Sequence, residues 1–132
     1  MPEFFFAYGT LRNGINSPMS AFLANNTVYL SQAFMRGQLV DVGQYPGAIE
    51  SIVADDKVWG EVYQILNAGT LFAKLDDYEE CSARFAKPHE YVRKAVPVYL
   101  DNGKVLMAWC YIYNFNTDGL KRIESGDYRD II

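Results

Sequence analysis

The chain has 132 residues, half of them hydrophobic and 15% aromatic, and a formal net charge of −4 at pH 7. That composition supports a folded core and excludes a disordered chain, and the length fits one domain, residues 1–132. An acidic chain with no basic run lacks the electrostatic footprint of a nucleic-acid binder, so an anion would have to be met by local charge, for which Arg12, Arg84 and Arg93 are the candidates.

"FFFAY" (4–8) predicts a strand buried on both faces, and it runs straight into a loop carrying Gly9, Thr10, Leu11, Arg12 and Gly14. In "SPMSAFLA" (17–24), Ser17 suits an N-cap and Pro18 the first helical position. Met19, Phe22 and Leu23 then share a face, which predicts a short helix. "AFMRGQLVDVG" (33–43) reads as a strand and "YPGAI" (45–49) as a turn built on Pro46 and Gly47. "VWGEVYQI" (58–65) is a strand with Trp59, Glu61, Tyr63 and Ile65 on one face. Residues 67–80 predict a helix capped by Asn67, with Leu71, Phe72, Leu75 and Tyr78 as its apolar stripe. Two alternating runs flank Asn102-Gly103 within 90–114, a strong hairpin signal, and Pro97 puts the first run at an edge or a bulge. The tail from Asp118 reads as a helical turn followed by a glycine loop. Together these elements predict an α+β fold: a small, curled, mostly antiparallel sheet or barrel with two or three flanking helices.

Four places carry residues suited to chemistry. In Tyr8-Gly9-Thr10-Leu11, glycine permits a backbone shape that other residues resist. Successive N–H groups there would form an anion-binding concavity, or the segment is an ordinary strand-to-loop turn. "DDYEE" (76–80) is either a solvated acidic face or a carboxylate with a raised pKa at the negative end of a helix, as a general base near neutral pH requires. Glu61 points either into an aromatic pocket or to solvent. In "HEYVRK" (89–94), Glu90 and Arg93 are placed to form a surface pair, and His89 with Cys81 is a weakly motivated nucleophile pair. Two cysteines and one histidine are too few for a disulfide framework or a zinc site. The start, "MPEFFFAYG", has no basic n-region, and no apolar run approaches the ~20 residues of a membrane span, so a cytoplasmic protein with no membrane partner is expected.

Taken in order, "FAYGTLRNG", "YPGAI", "GEVYQI", "LDDYEEC" with "EYVRK" behind it, and "DGLKRIESGDYR" resemble the gamma-glutamylcyclotransferase-like family, most closely its short gamma-glutamylamine cyclotransferase-like members. The resemblance spans nearly the whole chain. It implies a compact barrel with flanking helices and a cofactor-independent enzyme of the acyltransferase or lyase type. Such an enzyme converts a small gamma-glutamyl amide or peptide into 5-oxoproline and a free amine. It also implies a single catalytic glutamate at Glu79, with Glu80 and Glu90 as neighbouring alternatives, and a substrate-binding loop at Tyr8, Gly9, Thr10 and Leu11. The runner-up is a non-catalytic module that binds a small carboxylate or a peptide end in the same pocket. The sequence sets no oligomeric state and does not identify the leaving amine.

Overall fold

A computed structural model describes residues 3–12 and 19–131. Its seven strands are β1 (Phe4–Ala7), β2 (Thr27–Asp41), β3 (Pro46–Glu50), β4 (Lys57–Ile65), β5 (Tyr91–Leu100), β6 (Val105–Tyr113) and β7 (Lys121–Ile123). Two helices, α1 (Ser20–Asn26) and α2 (Ala68–Tyr78), and a closing 3-10 turn at Tyr128–Ile131 complete the described chain.

The sheet runs β3-β2-β4-β1-β6-β5, and β5 returns to pair with β2 through Ala33↔Leu100 and Phe34↔Tyr99. Strands β2, β4, β1, β6 and β5 therefore close into a five-stranded barrel. All its pairings are antiparallel except β1 with β6. This is the small curled α+β fold expected, with both described helices against the barrel.

Alternation along the strands explains two cores. Phe6 and Tyr8 belong to one buried cluster with Met35, Val62, Val98 and Cys110. Phe5 and Ala7 belong to a second, with Tyr63, Tyr111 and the helical Leu23, Leu71 and Leu75. Strand β1 is thus buried on both faces, which is why its sequence shows no polar alternation. Asn67 caps α2 by accepting the Thr70 N–H at 3.0 Å. Ser17 and Pro18 lie outside the described residues.

Three expectations are corrected. The strand expected at 33–43 starts at Thr27; a bulge between Tyr29 and Ser31 breaks the alternation, and Val28, Tyr29 and Leu30 stay exposed, so no regular pattern marks that half. "YPGAI" is mostly strand: Pro46 opens β3, an edge strand where a missing N–H is tolerated. In the tail, the segment from Lys121 extends along β2 as β7, and the helical turn follows the glycine loop instead of preceding it. Pro97 sits as expected: it faces Met107 on β6, while β2 reaches β5 only at Tyr99 and Leu100.

Candidate active site

Strand β1, the loop behind it, the end of α2 and the start of β5 meet around a cavity of about 370 Å³. Its lining includes Tyr8, Gly9, Thr10, Leu11, Tyr45, Glu79, Glu80, Glu90, Tyr91 and Tyr111. The structure therefore brings together the glycine loop and the acidic helix end, which are some seventy positions apart in sequence.

The four acidic residues at the end of α2 have different fates. Asp76 accepts two hydrogen bonds from the Arg93 guanidinium, at 2.9 and 3.1 Å, and a third from the Tyr111 hydroxyl at 2.7 Å. Asp77 accepts from Ser82 and Arg84, which hold its carboxyl below its ordinary pKa, the Arg84 bond contributing most. Glu79 turns to the cavity. It is half-buried, and its carboxyl has no hydrogen-bond partner among the described residues. Burial, followed by the charges of Glu90 and Glu80, pushes its pKa up to about 7. Leu71, Leu75 and Glu79 are spaced by four, so Glu79 continues the buried stripe of the helix, but Phe72, Asp76 and Glu80 share that spacing and the pattern does not single Glu79 out.

The helix stops abruptly after Glu79. The N–H of Glu80 bonds to the Asp77 carbonyl and that of Cys81 to the Asp76 carbonyl, a Schellman ending, with Glu80 in the left-handed region at φ 59°. Glycine is the usual residue there. A glutamate accepts a cost of roughly 1–2 kcal/mol at that position, and its side chain lines the same cavity as Glu79.

The loop after β1 also lines the cavity. Among the described residues, the N–H groups of Gly9, Thr10 and Leu11 have no partner, while the Gly9 carbonyl accepts the Arg12 N–H at 3.1 Å and closes a turn. N–H groups without a partner beside a cavity are donors of the kind that can meet an anion. No lysine or arginine is among the residues that line the cavity, which corrects the expectation that Arg12, Arg84 or Arg93 supplies local charge for an anion. Each of the three is engaged with a carboxylate instead. The Tyr8 hydroxyl is also committed: it donates to the Tyr111 carbonyl at 2.6 Å and accepts the Ala48 N–H at 3.2 Å. Tyr8 thus lines the cavity with its hydroxyl already used in the scaffold.

Glycine at position 9 is favoured by close packing and not by the left-handed backbone shape expected of it. Gly9 is not among the glycines with positive φ; a Cβ there would lie 3.0 Å from Pro46 Cγ. A larger side chain would push into Pro46, which also lines the cavity. Gly9→Val is therefore expected to fold and to lose, in calorimetry, the 5-oxoproline binding that the resemblance implies. Wild-type affinity in this variant would rule out close approach at this loop.

Other sequence candidates fall away from the cavity or change role. Glu61 reaches neither pocket nor solvent; it is 1% exposed and bonded to Arg12 and Tyr63. Glu90 does not pair with Arg93 but accepts from the Tyr45 hydroxyl at 2.8 Å. His89 lies against the Phe85 carbonyl and Cys81 near Asp76, and burial pushes the Cys81 thiol up to about 12, the reverse of an activated nucleophile. Arg93 stacks on Phe72 at 4.1 Å and Trp109 at 4.7 Å, so it ties α2 to the barrel. Arg93→Met should cost about 1.5–3 kcal/mol in urea unfolding, the range of a charged hydrogen-bonded contact. A loss confined to kcat, with stability untouched, would contradict this role. Tyr45, Tyr91 and Tyr111 were missed as cavity residues, because strand alternation explains a tyrosine without a site.

A family model described as "Gamma-glutamyl cyclotransferase, AIG2-like" matches residues 5–130. The gamma-glutamylcyclotransferase family protein YtfP of Escherichia coli K12 is 34% identical over 125 residues, covering 95% of each chain. The solution structure of Escherichia coli ytfP superposes with a TM-score of 0.62 at 34% identity, over 96% of this chain and 98% of that one. The crystal structure of YkqA from Bacillus subtilis gives a TM-score of 0.71 at 27% identity, over 98% of this chain but 40% of that longer one.

Proposed function

The chain belongs to the gamma-glutamyl cyclotransferase, AIG2-like family, and from that premise we propose that its cavity converts a gamma-glutamyl amide or peptide into 5-oxoproline and a free amine. The observation that carries this reading is Glu79: a half-buried carboxyl with its pKa pushed up to about 7, in a small cavity also lined by Gly9, Thr10 and Leu11, whose N–H groups have no partner among the described residues.

The substrate supplies its own nucleophile. Its α-amine attacks the γ-carbonyl carbon, a C–N bond forms and closes the lactam, and the original amide C–N bond breaks. One proton must leave the attacking nitrogen and one must reach the departing amine. A carboxylate that accepts the first and returns the second satisfies that balance without metal, cofactor or enzyme nucleophile. A group with a pKa near the working pH does both steps with little energetic mismatch. Glu79 is assigned that role. The N–H groups of Gly9, Thr10 and Leu11 are assigned to the substrate's anionic oxygens, where preorganised donors act most strongly. The cavity volume suits holding one small substrate folded for intramolecular attack.

The test is product formation. The protein is incubated with a panel of gamma-glutamyl amines and peptides, with and without a chelator, and 5-oxoproline is measured against time. Release that is unaffected by the chelator is expected for at least one substrate class. Calorimetric binding of 5-oxoproline or glutamate with no turnover of any substrate would instead favour a carboxylate-binding module.

A further inference from the structure

The tail segment Ser125-Gly126-Asp127 touches no part of the cavity, yet it is joined to the cradle through one side chain. Arg12 follows directly on Leu11, and its side chain is fully buried. Its Nε donates to Glu61 Oε2 at 3.0 Å, and its Nη1 donates to Asp127 Oδ1 at 2.6 Å and to the Trp59 carbonyl at 3.3 Å. Glu61 lies on β4 directly opposite Ala7, the last residue of β1 before the loop. The guanidinium therefore fastens the end of the cradle turn to β4 on one side and to the tail on the other.

The tail is itself fixed on β4. Trp59 donates its N–H to the Gly126 carbonyl at 2.8 Å, and Gly126 takes a left-handed φ of 71°. A Cβ at Gly126 would collide with the Lys57 carbonyl, so glycine is needed for both shape and approach. Asp127 Oδ1 also accepts the Arg129 N–H at 3.0 Å, which orients the carboxylate toward Arg12.

We propose that Arg12 is the positioning residue of the substrate cradle and that the Ser125–Asp127 turn is its remote lock, holding the N–H groups of residues 9–11 aimed into the cavity. The role of residues 9–11 as the cradle rests on the function proposed above; the mechanical link does not. Preorganised donors cost no reorganisation when the ligand arrives, and a donor loop free to move loses that advantage.

The test variant is Asp127→Asn. It keeps the side chain's shape and its acceptance of the Arg129 N–H, and removes the negative charge that Asp127 presents to Arg12 and to the exposed Arg129 side chain. Backbone ¹⁵N order parameters at Gly9, Thr10, Leu11 and Arg12 should fall from about 0.85 toward 0.6, with the barrel strands unchanged. The 5-oxoproline affinity should weaken about tenfold. KM should rise by a similar factor, while the pH midpoint of kcat stays in place, because burial, Glu90 and Glu80 set the Glu79 carboxyl, and neither Arg12 nor Asp127 acts on it. Arg129→Met, which removes an exposed outer neighbour of the same carboxylate, should change none of these. Order parameters at 9–12 equal to wild type in a folded Asp127→Asn protein would overturn the lock. So would loosening spread over the whole barrel. If wild type itself neither binds 5-oxoproline nor turns over substrate, the proposed function fails, and the order parameters still decide the lock.

Discussion

Glu79→Gln is expected to fold, to bind 5-oxoproline, and to lose roughly 10²-fold or more in kcat on a gamma-glutamyl substrate, the usual scale of a positioned proton-transfer group. The amide keeps the shape and the hydrogen-bonding capacity but cannot cycle a proton. Wild-type kcat should rise with pH through an inflection near 7, where Glu79 ionises, and that inflection should vanish in the variant. Stability supplies a second, independent signature. The carboxyl's pKa is raised from 4.5 to about 7, chiefly by burial. The folded protein therefore holds a proton that the unfolded chain has already released between those values. That contribution is fully present below about pH 4.5 and is lost as pH rises through 7, on the order of 3 kcal/mol in total. Glu79→Gln should remove this slope and be the more stable protein at pH 8. An active Glu79→Gln beside an inactive Glu80→Gln or Glu90→Gln would transfer the role to that neighbour.

The helix that carries Glu79 was legible because it is local, whereas the choice of Glu79 within its acidic run came from the resemblance. The helix over 67–80 has its cap and most of its stripe in one continuous stretch; the structure ends it at Tyr78 and leaves Tyr78, expected in the stripe, exposed. The hairpin around Asn102-Gly103 is legible for the same reason. What pattern alone could not supply was the division of labour among four adjacent acids. That depends on Arg93 and Tyr111, which reach Asp76 from β5 and β6, and on Arg84 and Ser82, which take Asp77. The glycine loop showed the opposite mixture. Its place beside the cavity followed from the resemblance, but the reason for glycine did not, since the neighbour that excludes a side chain is Pro46 on another strand.

Arg12 and Glu61 were the least legible, and a buried ion pair explains why. Glu61 looked like a pocket or surface residue and Arg12 like an exposed anion receptor. Each is isolated in its own segment, and their partners are 49 and 115 positions apart in sequence. Nothing in either segment's periodicity announces a partner at that distance. The energetics follow from the geometry. Arg12 is 1% and Glu61 1% exposed, so neither charge can be rehydrated if the other is removed. Asp127, by contrast, keeps about a fifth of its side chain in water.

Arg12→Met should therefore be among the most destabilising single changes in the chain. It leaves Glu61 as a buried carboxylate without its guanidinium partner, though the Tyr63 hydroxyl still donates to it, and breaking a buried pair in this way costs about 3–5 kcal/mol. Against a typical total of about 5–15 kcal/mol, that is a large share of the protein's stability. In urea unfolding the midpoint should fall steeply with the slope preserved. The double variant Arg12→Met/Glu61→Gln removes the stranded charge as well and should recover a substantial part of the loss. Its recovered stability should come without recovered ligand affinity, since the cradle still lacks its fastening to Asp127. A single variant within 1 kcal/mol of wild type would show that the pair is solvated. A double variant no better than the single would show that the methionine side chain, and not the orphaned carboxylate, is what the barrel cannot accommodate.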